Sequence, residues 1–274
     1  MIRIVLITGD HPRHRYVANH VLGHQKDVHW IIQSREPLLP KPGTDLSPYL
    51  AKLADRHFQG RLEAEDAYFG DFQSGLDEQR FASQLRVSKE DLNSLPTLEY
   101  VRKLDPHLIL SYGSHKLNER MTSLARWKAL NIHGGLSPKY KGAATHFWPT
   151  YFLEPHWTGV TLHATTPQID SGAIYLQTAV DLDPRHGIHE NACQALANFC
   201  DKFGVVLENL NSEAGLPLAV SQKGVSREFR DADWNPHHLR LIYDTLENRV
   251  NAYCLESGLA EVKPALINVF ESSH

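Results

Sequence analysis

No hydrophobic run in this chain is long enough to cross a membrane. The most apolar stretch, MIRIVLITG, is cut off by Asp10 and His11, well short of the roughly 20 residues that a spanning helix needs. It shows no cleavage-like signal, so it reads as a first buried strand in a soluble, cytoplasmic protein. Cysteine is scarce as well: Cys193, Cys200 and Cys254 lack CxxC spacing. An odd count suits a reducing compartment rather than a disulfide framework, and the three read as small apolar fillers. An excess of basic charge is also missing. Lys+Arg 28 against Asp+Glu 32 gives a net charge of -4, so no global field draws the chain to nucleic acid or anionic membrane, although a local patch stays open. There is no internal repeat and no low-complexity tract. No GxGxxG follows the first strand, and Pro12 in Gly9-Asp10-His11-Pro12-Arg13 removes one N–H that a phosphate could use.

What is present is an alternation of strand-like and helix-like segments over 274 residues, enough for a large core with an appendage. Ile2–Thr8, a helix over Tyr16–Leu22 and a strand over Val28–Gln33 open a βαβ unit. Pro37, Pro40, Pro42, Gly43 and Pro48 then break the pattern, and Leu50–Phe58 and Leu62–Tyr68 suggest two short amphipathic helices. Residues 34–86 therefore read as an insertion over one sheet edge. Regular structure resumes at Val87–Ser94, followed by a helix near Thr97–Leu104 and a strand at His107–Tyr112. A helix begins within Ala143–Phe152, and a long one covers Asn191–Leu210. Leu216–Phe229 resembles a strand pair turning at Lys223-Gly224, and Pro236–Glu256 regains helical spacing. The expected fold is α/β, a Rossmann-like, mostly parallel sheet over residues 1–210, with a small C-terminal α+β module over 211–274. Ligands of such sheets bind beyond the carboxyl ends of the strands, which Ser111-Tyr112-Gly113 and Asn131–His133 would both reach.

Two segments carry chemistry. In NIHGGLSPKYKG, Asn131 and His133 are two apart on a strand and project from one face, placing an amide donor beside an imidazole. In HATTPQIDSG, an alternating strand breaks at Pro167 into a short loop that carries Asp170 before Gly172, so a carboxylate can lean over the imidazole. His163 is placed beside this trio. His11, His14, His20 and His24 mix loop and helix and lack a repeated ligand pair, so no metal is expected.

These segments resemble the 10-formyltetrahydrofolate-dependent formyltransferases, a family that includes glycinamide ribonucleotide, methionyl-tRNA and sugar-nucleotide enzymes. Asn131, His133, Lys141-Gly142, His163, Asp170 and Gly172 match its signature from about Val87 to Gln177, with a weaker match at Met1–Arg15. Gly135-Leu136-Ser137-Pro138 stands where Ser-Leu-Leu-Pro is usual, and Thr166-Pro167-Gln168 replaces Asp-Glu-Gly. The resemblance implies a formyltransferase fold and 10-formyltetrahydrofolate as co-substrate. Asn131, His133 and Asp170 are implied as the catalytic set, with the pterin held by Ser114, His115, Lys116 and Leu117, by Gly135, Leu136, Ser137 and Pro138, and by Ile169. In that setting Asn131 would supply an N–H to a developing oxyanion, His133 a second hydrogen bond and a proton relay, and Asp170 support for the imidazolium or a route for the amine's proton.

For the acceptor, TGDHPRHR does not look like the Gly-rich phosphate loop of glycinamide ribonucleotide enzymes. Residues 201–274 hold 7 Lys+Arg against 11 Asp+Glu, which opposes a nucleic-acid-binding tail of the methionyl-tRNA kind. An amino-sugar nucleotide is what remains, with Asp10, Arg13 and Arg15 as candidates for an anionic part of it. A homodimer is compatible with the sequence. A 10-formyltetrahydrofolate hydrolase, a methionyl-tRNA-type enzyme and a non-catalytic folate-binding module are the alternatives.

Overall fold

Ile4, Val5, Leu6 and Ile7 are all fully buried because the strand they form is covered on both faces. Ile4 and Leu6 join one helical layer and Val5 and Ile7 the other, which is why the sequence shows an unbroken apolar run there. The computed structural model describes residues 2–34, 43, 45–75, 77–210 and 213–271, with the side chains of 72–75 outside the description. Pro37, Pro40 and Pro42 of the expected insertion therefore lie outside the described residues.

The strands are β1 (Arg3–Thr8), β2 (Asp27–Gln33), β3 (Ser83–Val87), β4 (Leu108–Tyr112), β5 (Lys128–His133), β6 (Lys141–Gly142), β7 (Gly159–Ala164), β8 (Ile174–Ala179) and β9 (Glu228–Phe229). The helices are α1 (Pro12–His24), α2 (Pro48–Gly75), α3 (Leu95–Leu104), α4 (Glu119–Thr122), α5 (Trp148–Tyr151), α6 (Ile188–Asn209) and α7 (Val250–Glu256). Seven strands form one sheet in the order β3-β2-β1-β4-β5-β7-β8. The first five run parallel, β7 runs antiparallel to β5, and β8 antiparallel to β7. Residues of α1, α2 and α6 pack on one face, and those of α3 and α4 on the other. The order switches direction between β1 and β4, so the loops after them part and open a crevice at the strand ends.

Four expectations change. Leu50–Phe58 and Leu62–Tyr68 belong to one helix, α2. Gly60 between them costs only about 1 kcal/mol inside a helix, and it admits the ring of His189, whose Cδ2 would lie 3.4 Å from a β-carbon there. Nor is this helix an insertion over the sheet edge: it lies in the crossover from β2 to β3 and packs on α1 and α6. Leu216–Phe229 gives no hairpin, since Val220 bridges to Ile174 and β9 pairs in parallel with β6. Finally, the described residues of the expected C-terminal module share a core with the rest of the chain. Trp234, Leu239, Ile242, Tyr243 and Val250 cluster with Leu50, Leu53 and Phe58 of α2 and with Phe147 and Trp148. Helical spacing announced an apolar face there, but not the surface that covers it.

Candidate active site

Asn131 and His133 leave β5 on the same face, and cross-strand pairing sets Asn131 opposite His163 and His133 opposite Thr161. Leu130, Ile132, Val160 and Leu162, which alternate with them, go to the opposite, apolar layer. A polar patch thus sits at the carboxyl end of the sheet without interrupting its core. Asp170 reaches the patch from the β7–β8 loop, in a left-handed conformation with φ +43°. Gly172 lets this loop close against β7, because a β-carbon there would lie 1.7 Å from the carbonyl oxygen of Ala164. Gln222 clamps the loop further, donating from Nε2 to the carbonyls of Asp170 and Gly172 at 2.8 Å each.

The carboxylate is the hub. Its Oδ2 lies 3.2 Å from Nδ1 of His133 and accepts the Gly142 N–H at 2.9 Å. Its Oδ1 is 3.4 Å from both Nε2 of His163 and Nδ2 of Asn131. Burial works against ionisation of Asp170, but His133, the His163 hydrogen bond and the Gly142 N–H outweigh it and hold the carboxyl far below the usual range. His133 has the opposite balance. Burial pushes its pKa below the ordinary histidine value even though Asp170 pulls it upward. Its second nitrogen, Nε2, is 2.9 Å from the carbonyl oxygen of Tyr140. Both nitrogens therefore face acceptors, an arrangement that only an imidazolium satisfies fully. With its pKa lowered by burial and an acceptor at each nitrogen, the ring can take up a proton.

Asn131 is oriented by Ser111, whose Oγ donates to its Oδ1 at 2.9 Å, and this turns Nδ2 toward Asp170 and His163. Asn131, His133 and Asp170 all line a cleft of about 660 Å³. Ser114 and Ile169, two of the residues expected at the pterin, line it too. The other expected pterin residues are placed elsewhere. His115 is tied to Gln33 through its backbone N–H, Lys116 donates to the Pro167 carbonyl, and Leu117 is buried in the layer of α3 and α4. Gly135-Leu136-Ser137-Pro138, with its cis Ser137–Pro138 bond, supports the site from below. The Ser137 N–H donates to Thr161, and Leu136 and Ser137 are buried. Gly134 provides the lining at that point.

Of the acceptor candidates, only Arg13 lines the cleft. Asp10 and Arg15 pair with each other and with Arg86 and Glu78. Sequence reasoning missed much of the far wall: His57, Arg61 and Glu65 from α2, His146 before α5, and Trp234. The helical pattern of α2 gave no sign of which face would meet a ligand. Among the described residues no cluster suited to a metal ion occurs, and no helix is long and apolar enough to cross a membrane.

Residues 74–199 match the family described as formyl transferase, a segment that contains Asn131, His133, His163 and Asp170. The bifunctional polymyxin resistance protein ArnA of Wigglesworthia glossinidia brevipalpis is 30% identical over 153 residues, covering 53% of this chain. The chain spans only 23% of the length of that relative. Among solved structures, a sugar N-formyltransferase from a Shewanella species superposes with a TM-score of 0.52 at 13% identity, over 85% of this chain and 78% of the other. WlaRD, a sugar 3N-formyltransferase crystallised in the presence of dTDP and 5-N-formyl-THF, gives 0.51 at 17% identity over 86% and 72%. Likeness at such identities establishes the fold, and residues 74–199, a little under half of the chain, carry the segment that matches the formyl transferase family.

Proposed function

We propose that this chain transfers a formyl group from 10-formyltetrahydrofolate to a primary amine on a small acceptor, an amino-sugar nucleotide being the favoured class. The observation that carries the reading is the convergence of Asn131, His133 and His163 on the one carboxylate of Asp170, within 3.4 Å, at the wall of a cleft. About 660 Å³ falls in the range of small-ligand sites and has room for a planar bicyclic ring beside an amine. The folate co-substrate supplies the activated formyl carbon and a nitrogen leaving group.

The residues of the chain then divide the work. Asn131 Nδ2 can leave its long, 3.4 Å contact with Asp170 to meet the negative charge that grows on the formyl oxygen; one such preorganised donor contributes roughly 3 kcal/mol in acyl-transfer sites. His133, uncharged and backed by Asp170, takes the proton released as the amine attacks and returns it when the leaving nitrogen departs. Asp170 stays ionised and compensates the imidazolium while it exists. Ser114 and Ile169 border the pterin. The nucleotide-sugar preference is supported by the C-terminal segment, whose Phe229, Arg230, Asp231 and Trp234 complete the cleft.

The test is product mass after incubation with 10-formyltetrahydrofolate and, separately, amino-sugar nucleotides, glycinamide ribonucleotide and charged initiator tRNA. Formylation of an amino-sugar nucleotide is expected. Formate release at the same rate without any amine would instead make the chain a hydrolase. His133→Ala and Asp170→Asn should each lower turnover at least a hundredfold while folate binding persists.

A further inference from the structure

Asp170 stands in a left-handed conformation, φ +43°, which a non-glycine residue adopts at a cost. An aspartate can offset that cost when its short side chain hydrogen-bonds within its own turn. Here the carboxylate is engaged elsewhere, with Asn131 and His133 of β5, Gly142 of β6 and His163 of β7. The turn must therefore be held through its neighbours and its main chain. Ser171 Oγ donates to the Ile169 carbonyl at 2.7 Å, Lys141 Nζ donates to Ser171 Oγ at 3.0 Å, and Lys116 donates to the Pro167 carbonyl. Among the described residues, the carbonyl of Asp170 itself is met only by Gln222.

Two features of the chain put Gln222 there. Val220 exchanges both backbone hydrogen bonds with Ile174, at 2.8 and 2.9 Å, as an antiparallel bridge. In that register two steps forward from Val220 are matched by two steps back from Ile174, which sets Gln222 against Gly172. A primary amide then has the right equipment: two N–H groups on one nitrogen, which serve the Asp170 and Gly172 carbonyls at 2.8 Å each. Beyond Gln222 the same segment runs on to β9, whose pairing with β6 steadies the Gly142 N–H that Asp170 Oδ2 accepts. One stretch of chain thus fixes Asp170 twice, by its main chain and by its carboxylate.

We infer that Gln222 is a positioning residue for formyl transfer, setting through the Asp170 main chain where the carboxylate meets His133, Asn131 and His163. This rests on the proposed function and deepens it by adding a residue outside the lining of the cleft, which acts through Asp170 alone. The distances make the role matter. Asp170 Oδ1 reaches both Asn131 and His163 at 3.4 Å, near the outer limit of a hydrogen bond, so a loop that drifts outward by a fraction of an ångström loses both. A reacting group misplaced by about 1 Å loses on the order of a hundredfold in rate. Gln222 also lies outside the segment 74–199 that matches the family, so this support comes from residues beyond that segment.

Steady-state kinetics of the whole chain, with the amine that the product-mass assay identifies, should be read beside an NMR titration of the His133 ring. Gln222→Glu is the central variant, since it keeps the shape and turns carboxylate oxygens on two carbonyl oxygens. It should lower kcat at least tenfold and leave KM for 10-formyltetrahydrofolate within twofold. Asp170 raises the His133 pKa, so a displaced carboxylate should let that pKa fall, and the acid limb of kcat/KM with it. Gln222→Lys, which restores N–H donors, should bring kcat back to within about threefold of the wild type. Val220→Ala trims an exposed side chain from the same bridge and leaves the amide, so its kcat should stay within twofold. An unchanged kcat in Gln222→Glu overturns the inference. So does a lower kcat with the His133 titration unmoved, or with folate binding lost, since Gln222 would then serve the fold alone. A wild type that formylates no amine sinks the proposed function, and the His133 titration still decides whether Gln222 holds Asp170.

Discussion

Ser111 Oγ donates a 2.9 Å hydrogen bond to Oδ1 of Asn131 from the paired position on the neighbouring strand. An amide is nearly symmetric in shape, so without this bond its oxygen could turn toward the cleft as readily as its nitrogen. Ser111→Ala should therefore lower kcat by about five- to thirtyfold, equivalent to roughly 1–2 kcal/mol, with little change in folate affinity. Steady-state kinetics decides it: an unchanged kcat would mean that Asp170 and His163 orient the amide unaided.

His133 and Asp170 shape the pH dependence. The imidazole must be uncharged to accept a proton, so kcat/KM should fall as pH drops through its pKa, which burial has placed below the usual 6.5. Asp170 is the strongest of the groups that raise that pKa. Asp170→Asn should accordingly move the acid limb to still lower pH while reducing the rate. A limb that keeps its position in this variant would belong to another group.

Acid should also loosen the contact between α2, α6 and the C-terminal segment. Tyr243 OH lies 3.0 Å from Nδ1 of His57 and 3.3 Å from Nε2 of His189. Burial, followed by Arg61, brings His189 down to about 3, and His57 is also held well below its ordinary value. Groups with a lowered folded pKa resist protonation in the native state, so stability is full above the unfolded value near 6.5 and declines as pH falls below it. At pH 5 the loss is about 2 kcal/mol for His189, and His57 adds in the same direction. Melting temperature should drop between pH 7 and pH 5. His189→Gln should flatten that slope even if it lowers the melting temperature at pH 7.

Gly142 has φ +87°, and a β-carbon on it would lie 2.0 Å from the Phe229 carbonyl oxygen. Gly142→Ala should separate β6 from β9 and cost about 2 kcal/mol or more. Denaturant unfolding measures the loss. Turnover should fall with it, because the displaced N–H is the one that Asp170 accepts.

Much of this was legible in the sequence where the signal is local. The two-residue spacing of Asn131 and His133, the break at Pro167 and the glycine after Asp170 report strand periodicity and turn chemistry, which act over a few residues. The parallel sheet was legible for the same reason. What stayed hidden depends on partners distant in the chain. Nothing near Gln222 indicates that it will hold the Asp170 loop. The spacing of Arg61 and Glu65 on α2 is equally that of a solvated helix pair, and Leu117 and Leu136 carry no mark that separates a ligand contact from a core contact. The C-terminal residues that read as a separate module share their core with α2 for a like reason: amphipathicity tells that a face is buried, not by what.

The short strip β6 touches two things at once. On one side the Gly142 N–H meets Asp170, and on the other the Lys141 and Ala143 N–H groups donate to the carbonyls of Arg227 and Phe229. A ligand that draws on the carboxylate must therefore also change how tightly the chain around 227–229 is held, and reciprocity requires that fraying of that segment weaken ligand binding by the same factor. Amide hydrogen exchange at those positions becomes a remote gauge of cleft occupancy.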